Sequence, residues 1–174
     1  MHMQLMQRQL LRYCVAMTVD DEALAAWRAF LNAHAHVTRR ISRDLVEAGL
    51  PDLSWYDVLW TLYRAPGRHL RVNELARGVV LSPTAMSRFV DRVEAAGYVT
   101  RDSDPDDRRA LRVTLTEPGV ELLRRMWPVY ERGIEQHFVA QLGGASGRLR
   151  ATLERIAASA RDAPVTRSAG PSGG

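Results

Sequence analysis

Residues 82–116 read SPTAMSRFVDRVEAAGYVTRDSDPDDRRALRVTLT. Ser82 is a good N-cap, because its hydroxyl accepts from the free N–H groups of a first helical turn. Pro83 follows at the first helical position, where no N–H is missed. Gly97 is the stop, since glycine enters the left-handed region without steric cost. At 100° per residue, Met86, Phe89, Val90, Val93 and Gly97 fall on one face and Thr84, Arg88, Asp91 and Ala95 on the other. The first set is a core stripe, and the second carries small or hydrogen-bonding side chains near the helix start.

Tyr98, Val99 and Thr100 are β-formers placed directly after the glycine. Leu111, Val113 and Leu115 alternate with Arg112, Thr114 and Thr116, the period of a half-buried strand. Between them, RDSDPDDRRA is a turn with Arg108 and Arg109 at its tip. A capped helix followed at once by a basic hairpin is the order of a winged helix-turn-helix, with the helix in the major groove of a duplex and the hairpin at its backbone or minor groove. Arg88 can donate twice to one guanine edge; the competing reading pairs it with Asp91, three residues on. Thr84 and Ser87 suit bases or phosphates, and Arg92 and Arg101 suit phosphates. Asp91 and Glu94 would repel phosphate, which implies that the far half of the helix leaves the groove. The aspartates at 102, 104, 106 and 107 are no calcium loop: the sharp-turn glycine is missing and Val113 stands where the closing glutamate belongs. Asp107 instead pairs with a neighbouring arginine and holds it extended, which lowers the entropy lost on docking.

DPDDRRALRVTLTEPG, preceded by ELA and SPTAMSRFVDRVEAAGYVTR, resembles the MarR family of bacterial transcriptional regulators over roughly residues 20–160. The resemblance implies that Arg109 enters the minor groove, that Asp107 orients it, and that the recognition positions are Ser82, Thr84, Ala85, Ser87 and Arg88. It further implies a homodimer joined through N- and C-terminal helices. Many such repressors release DNA when a small aromatic or phenolic compound binds between those helices and the DNA-binding lobe. Arg71 departs from the pattern, because a Ser or Thr cap is more usual before the helix VNELARGV.

The flanks fit this centre. Leu24, Trp27, Leu31, His34, Ile41 and Leu45 recur at helical steps, predicting a long amphipathic helix over 20–48 ended by Gly49 and Pro51. Shorter helices are expected over about 53–65 and 70–80, with the turn of the helix-turn-helix at 78–82. After the wing, Thr116 caps a helix expected to reach about Leu142, weakened locally by Gly133, and Leu149, Leu153 and Ile156 mark a last one. The expected organisation is an N-terminal extension (1–19), a dimerisation helix (20–48), a winged helix-turn-helix lobe (49–117), C-terminal dimerisation helices (118–161) and a flexible tail (162–174). The fold class is thus mainly α (α+β). Two apolar terminal helices have a use if two chains wrap together and present two reading helices about one turn apart on a palindrome.

The 174 residues carry a net charge of +4, and all 24 basic side chains are arginines. That balance permits nucleic acid as a partner without establishing it. The single cysteine, Cys14, excludes an internal disulfide and fits a reducing cytoplasm. No apolar run reaches the length of a membrane span, and no signal-peptide pattern stands at the start. His34 and His36 point to different helix faces, and no Cys-x-x-Cys or His-Glu-x-x-His occurs, so no metal, cofactor or catalytic centre is expected. Trp27, His34, Trp55, Tyr56, Trp60 and Arg64 gather in the first two helices as candidates for an aromatic ligand pocket walled by the first, second and fifth helices; an ordinary core uses the same residues. The alternative to a DNA reader is a winged-helix module for protein contact.

Overall fold

The computed structural model describes residues 19–78, 83–104 and 111–162. The Ser82 cap and its turn, the wing tip with Asp107, Arg108 and Arg109, Cys14 with the N-terminal arm, and the tail beyond Asp162 lie outside them.

The elements are mainly helical. Helix α1 spans Asp21–Glu47 and α2 Leu53–Arg64. A 3-10 turn at Pro66–Arg68 leads into strand β1, His69–Arg71, and then α3, Val72–Gly78. Helix α4 spans Pro83–Ala95, strand β2 Val99–Ser103, β3 Leu111–Leu115 and α5 Glu117–His137. A 3-10 turn at Val139–Gln141 precedes α6, Ser146–Asp162. The strands form one antiparallel sheet in the order β1-β3-β2, with Leu70 opposite Val113 and Arg101 opposite Val113 on the other side. The chain divides into two compact units, residues 1–133 and 134–174. The first holds the sheet and α1 to α4.

The caps are local chemistry. Asp20 and Asp52 accept from the first-turn amides of α1 and α2 at 2.7 and 2.9 Å. The expectation of one helix over 70–80 is corrected at its start: His69–Arg71 is extended and pairs with β3, and the helix begins only at Val72. Arg71 is no side-chain cap; instead Glu74 reaches back and accepts from the Arg71 amide at 2.9 Å, which is half of a capping box. Helix α5 also ends earlier than expected, at His137 rather than near Leu142.

Gly97, at φ 79°, ends α4. Its amide donates to Glu94 and that of Tyr98 to Val93, the paired closure that a left-handed residue permits. Thr116 then joins three elements. Its hydroxyl donates to the Gly97 carbonyl at 2.8 Å and accepts from the Gly119 amide at 3.2 Å, and its own amide donates to Tyr98 at 3.1 Å. Gly133 is a packing residue rather than a weak point, because a Cβ there would meet Ile41 of α1 at 2.6 Å.

The core of the first unit runs from Ile41 and Leu45 through Val58, Leu59 and Leu62 to Leu75, Met86, Val90, Val93, Val113, Leu122 and Met126. All four apolar residues expected on the inner face of α4 are buried in it.

Candidate nucleic-acid interface

A closed inner face leaves α4 one surface for a partner. Ala85, Ser87, Arg88, Asp91 and Arg92 are exposed on it, and Thr84 lies in its first turn. The competing pairing of Arg88 with Asp91 is absent, and Asp91 is bonded instead to Arg101. Among the described residues the Arg88 side chain has no ion-pair partner. Its guanidinium therefore keeps its donors for an outside acceptor. Arg92 lies over its own helix, with its guanidinium carbon 5.0 Å from the Phe89 ring centre.

The negative charges of α4 are not bare. Arg101, the middle residue of β2, donates from its backbone amide to Glu94 at 2.9 Å and from Nε to the same carboxylate at 2.7 Å. Its Nη1 meets Asp91 at 2.5 Å. Hydrogen bonding to Glu94 raises the guanidinium above its ordinary pKa, and the bond to Asp91 adds to this, against an opposing pull from desolvation. Arg101 is thus occupied by protein carboxylates, which counts against its expected place on a phosphate.

A second arginine–carboxylate contact holds the root of the wing. Asp104 is 6% exposed and receives Nε and Nη2 of Arg71 at 2.9 and 3.0 Å. One of the four puzzling aspartates is therefore a bidentate anchor between the end of β2 and the junction of β1 with α3.

The aromatic candidates separate. Tyr56 and Trp60 line a groove of about 320 Å³ between α2 and α5, with Tyr63, Val120, Leu123, Arg124 and Trp127. Trp27, His34, Trp55 and Arg64 do not line it. Trp55 turns to the other side of α2 and meets Phe89 and Tyr98 edge-on at 5.8 and 6.0 Å. Trp27 and His34 are exposed on α1, and Arg64 is exposed in the last turn of α2. Tyr63, Arg124 and Trp127 were missed. Tyr63 is three residues beyond Trp60 and shares its face, a signal present in the spacing; Trp127 and Arg124 come from a distant helix and had none. Burial, with smaller effects from Tyr130 and Asp57, pushes the Tyr56 hydroxyl up to about 12, so the groove wall is a neutral phenol at ordinary pH. Among the described residues no cluster of His, Cys, Asp and Glu can hold a metal ion. No described helix is long and apolar enough to cross a membrane.

Comparison with known proteins gives the same reading of the lobe. The MarR family profile matches residues 48–110. The structure resembles AbsC of Streptomyces coelicolor, a MarR family transcriptional regulator, with a TM-score of 0.74 at 29% identity over 84% of this chain and 99% of that one. It resembles Sco3205 of the same organism, solved in complex with DNA, with a TM-score of 0.74 at 28% identity over 88% and 96% of the two chains. The regulator PrsX of Escherichia coli is 31% identical over 55% of this chain, a match that spans 57% of PrsX.

Proposed function

We propose that the chain is a member of the MarR family of transcriptional regulators, which its profile match and its structural likeness to such regulators support, and that it is a cytoplasmic, homodimeric repressor of a palindromic operator rather than an enzyme. The observation that carries this reading is α4: its inner face is fully buried while Arg88 stands exposed with no acid among the described residues to hold it. Arg88 reads a base edge in the major groove, with Thr84, Ala85, Ser87 and the cap Ser82 around it. Arg92 touches phosphate. Arg109 enters the adjacent minor groove, aimed by Asp107 and flanked by Arg108. The second copy docks on α1, where Trp27, Phe30 and Leu31 are 54, 44 and 45% exposed, an apolar surface of the kind that marks a protein contact. The C-terminal helices contribute as well.

Titration of the protein into a labelled duplex from its own upstream region tests this. Specific binding should exceed that to an unrelated duplex by about 10³-fold or more. Arg109→Ala should weaken it and lower the salt slope by about one unit. Indifference to every duplex in dilute salt would leave the protein-contact alternative standing.

The groove supports a second element of the reading. Its walls are ring faces and its one charged member is Arg124, a combination that suits a small aromatic or phenolic anion. Such an effector, bound between α2 and α5, releases the operator. Phenolic acids that neither raise the melting temperature nor free DNA would remove this element alone.

A further inference from the structure

Arg101 was expected to meet phosphate, yet its contacts run the other way. Residues 99 and 101 share one face of β2, and Val99 is 2% exposed, so Arg101 leaves the sheet on the side that packs against α4. β2 is an edge strand, and the Arg101 amide, unused by β3, is covered by Glu94 at 2.9 Å. Glu94 therefore binds both the backbone and the side chain of one wing residue. Asp91, one turn earlier, takes the other end of the guanidinium. An arginine fits this arrangement because its planar fork spans two carboxylates at once, which an ammonium does not. The Arg101 side chain is 26% exposed and Glu94 32%, so the pairing with Glu94 is sheltered, whereas Asp91 at 56% stands more open to solvent.

We propose that Arg101 is a positioning residue rather than a DNA contact: through Glu94 and Asp91 it sets the angle between the reading helix and the wing, and it shields two carboxylates that would otherwise face phosphates. The proposal rests on the DNA-binding reading above. It inverts the simple electrostatic expectation. Removing two acids beside a polyanion ordinarily tightens binding, but here it frees the wing from the helix. The wing tip then searches a wider range of directions, and that freedom is lost again on docking.

Two measurements test it, one of them without DNA. In the free protein the Nε–H of Arg101 should give a slowly exchanging NMR signal that Glu94→Ala abolishes. On the operator, Arg101→Ala and Arg101→Lys should each weaken binding about tenfold, within the range of coupling between contacting residues, while the salt slope stays at the wild-type value. The pair Asp91→Ala with Glu94→Ala should also weaken binding, and adding Arg101→Ala to that pair should cost little more. Arg101→Lys keeps the charge, so it carries the test if the alanine variant folds poorly. A salt slope lower by about one unit in Arg101→Ala, restored in Arg101→Lys, together with tighter binding by the two-alanine variant, would overturn the proposal and return Arg101 to the phosphates. A freely exchanging Nε–H in a wild-type protein that binds DNA sinks the clamp alone. A protected Nε–H in a protein that binds no duplex supports the clamp and sinks the DNA reading.

Discussion

Helices α4 and α1 carry the same kind of apolar periodicity and meet opposite fates. In α4, Met86, Phe89, Val90 and Val93 are all covered by the chain's own sheet and helices. In α1 only the last stretch is used this way. Ile41 and Leu45 are buried, while Trp27, Phe30 and Leu31 stand in solvent with the Trp27 and Phe30 rings 5.9 Å apart. An amphipathic stripe thus announces a helix without saying whose core it belongs to. The reading lobe is complete within one chain. The first half of α1 leaves its apolar side chains exposed among the described residues.

The largest effect should come from the uncovered helix. Trp27→Glu with Leu31→Glu should leave the lobe folded and convert the protein to a monomer in analytical ultracentrifugation. Operator affinity should fall by about 10²–10⁴-fold as the second half-site loses its tether. A wild-type chain that sediments as a monomer would break the comparison outright. Next comes the covered helix: Met86→Ala opens a cavity in a site with 0% exposure and should cost about 2–5 kcal/mol in chemical denaturation. A loss of that size at Trp27→Ala in dilute protein would mean that α1 is buried after all.

A smaller effect lies on the outer face of α4. Arg88→Ala should cost about 1–3 kcal/mol on the operator and flatten discrimination at one base pair; equal weakening on every sequence would place Arg88 on phosphate. The smallest is a pH effect in the groove. The folded-state pKa of Tyr56 is pushed up to about 12 from 10.0. Its contribution to stability is therefore whole below pH 10 and is lost as the pH climbs through 12. Burial also raises the neighbouring Tyr130, so alkaline titration followed by phenolate absorbance should show late tyrosines, one of which, at about 12, disappears in Tyr56→Phe.

Much of the lobe could be read along the chain because its signals are local. The proline after Ser82, the stop at Gly97 and the alternation from Leu111 to Leu115 each report on their own neighbourhood, and α4, β2 and β3 stand close to where those signals put them. Strand β1 escaped because three residues carry no alternation worth the name, and His69–Arg71 is extended only by virtue of its pairing with β3. The arginine contacts escaped for a related reason. Arg71 reaches Asp104 across 33 positions, and Arg101 reaches back to Glu94 around the Gly97 stop, distances at which spacing carries no information. Charge pattern alone offered Asp91 as a partner for Arg88 and suggested phosphate for Arg101, whereas the fold pairs Asp91 with Arg101. The aromatic cluster was half legible: Tyr56 and Trp60 share a helical face, but which neighbours complete a groove depends on how α5 crosses α2.

Thr116 has a mechanical consequence. Its hydroxyl bonds the tail of α4 and the first turn of α5, and its amide holds the start of the wing. One small side chain is thus a shared rivet for three moving parts. Any tilt of α5 at its first turn would have to carry the C-terminal end of α4 with it or break the Thr116 bonds to Gly97 and Gly119.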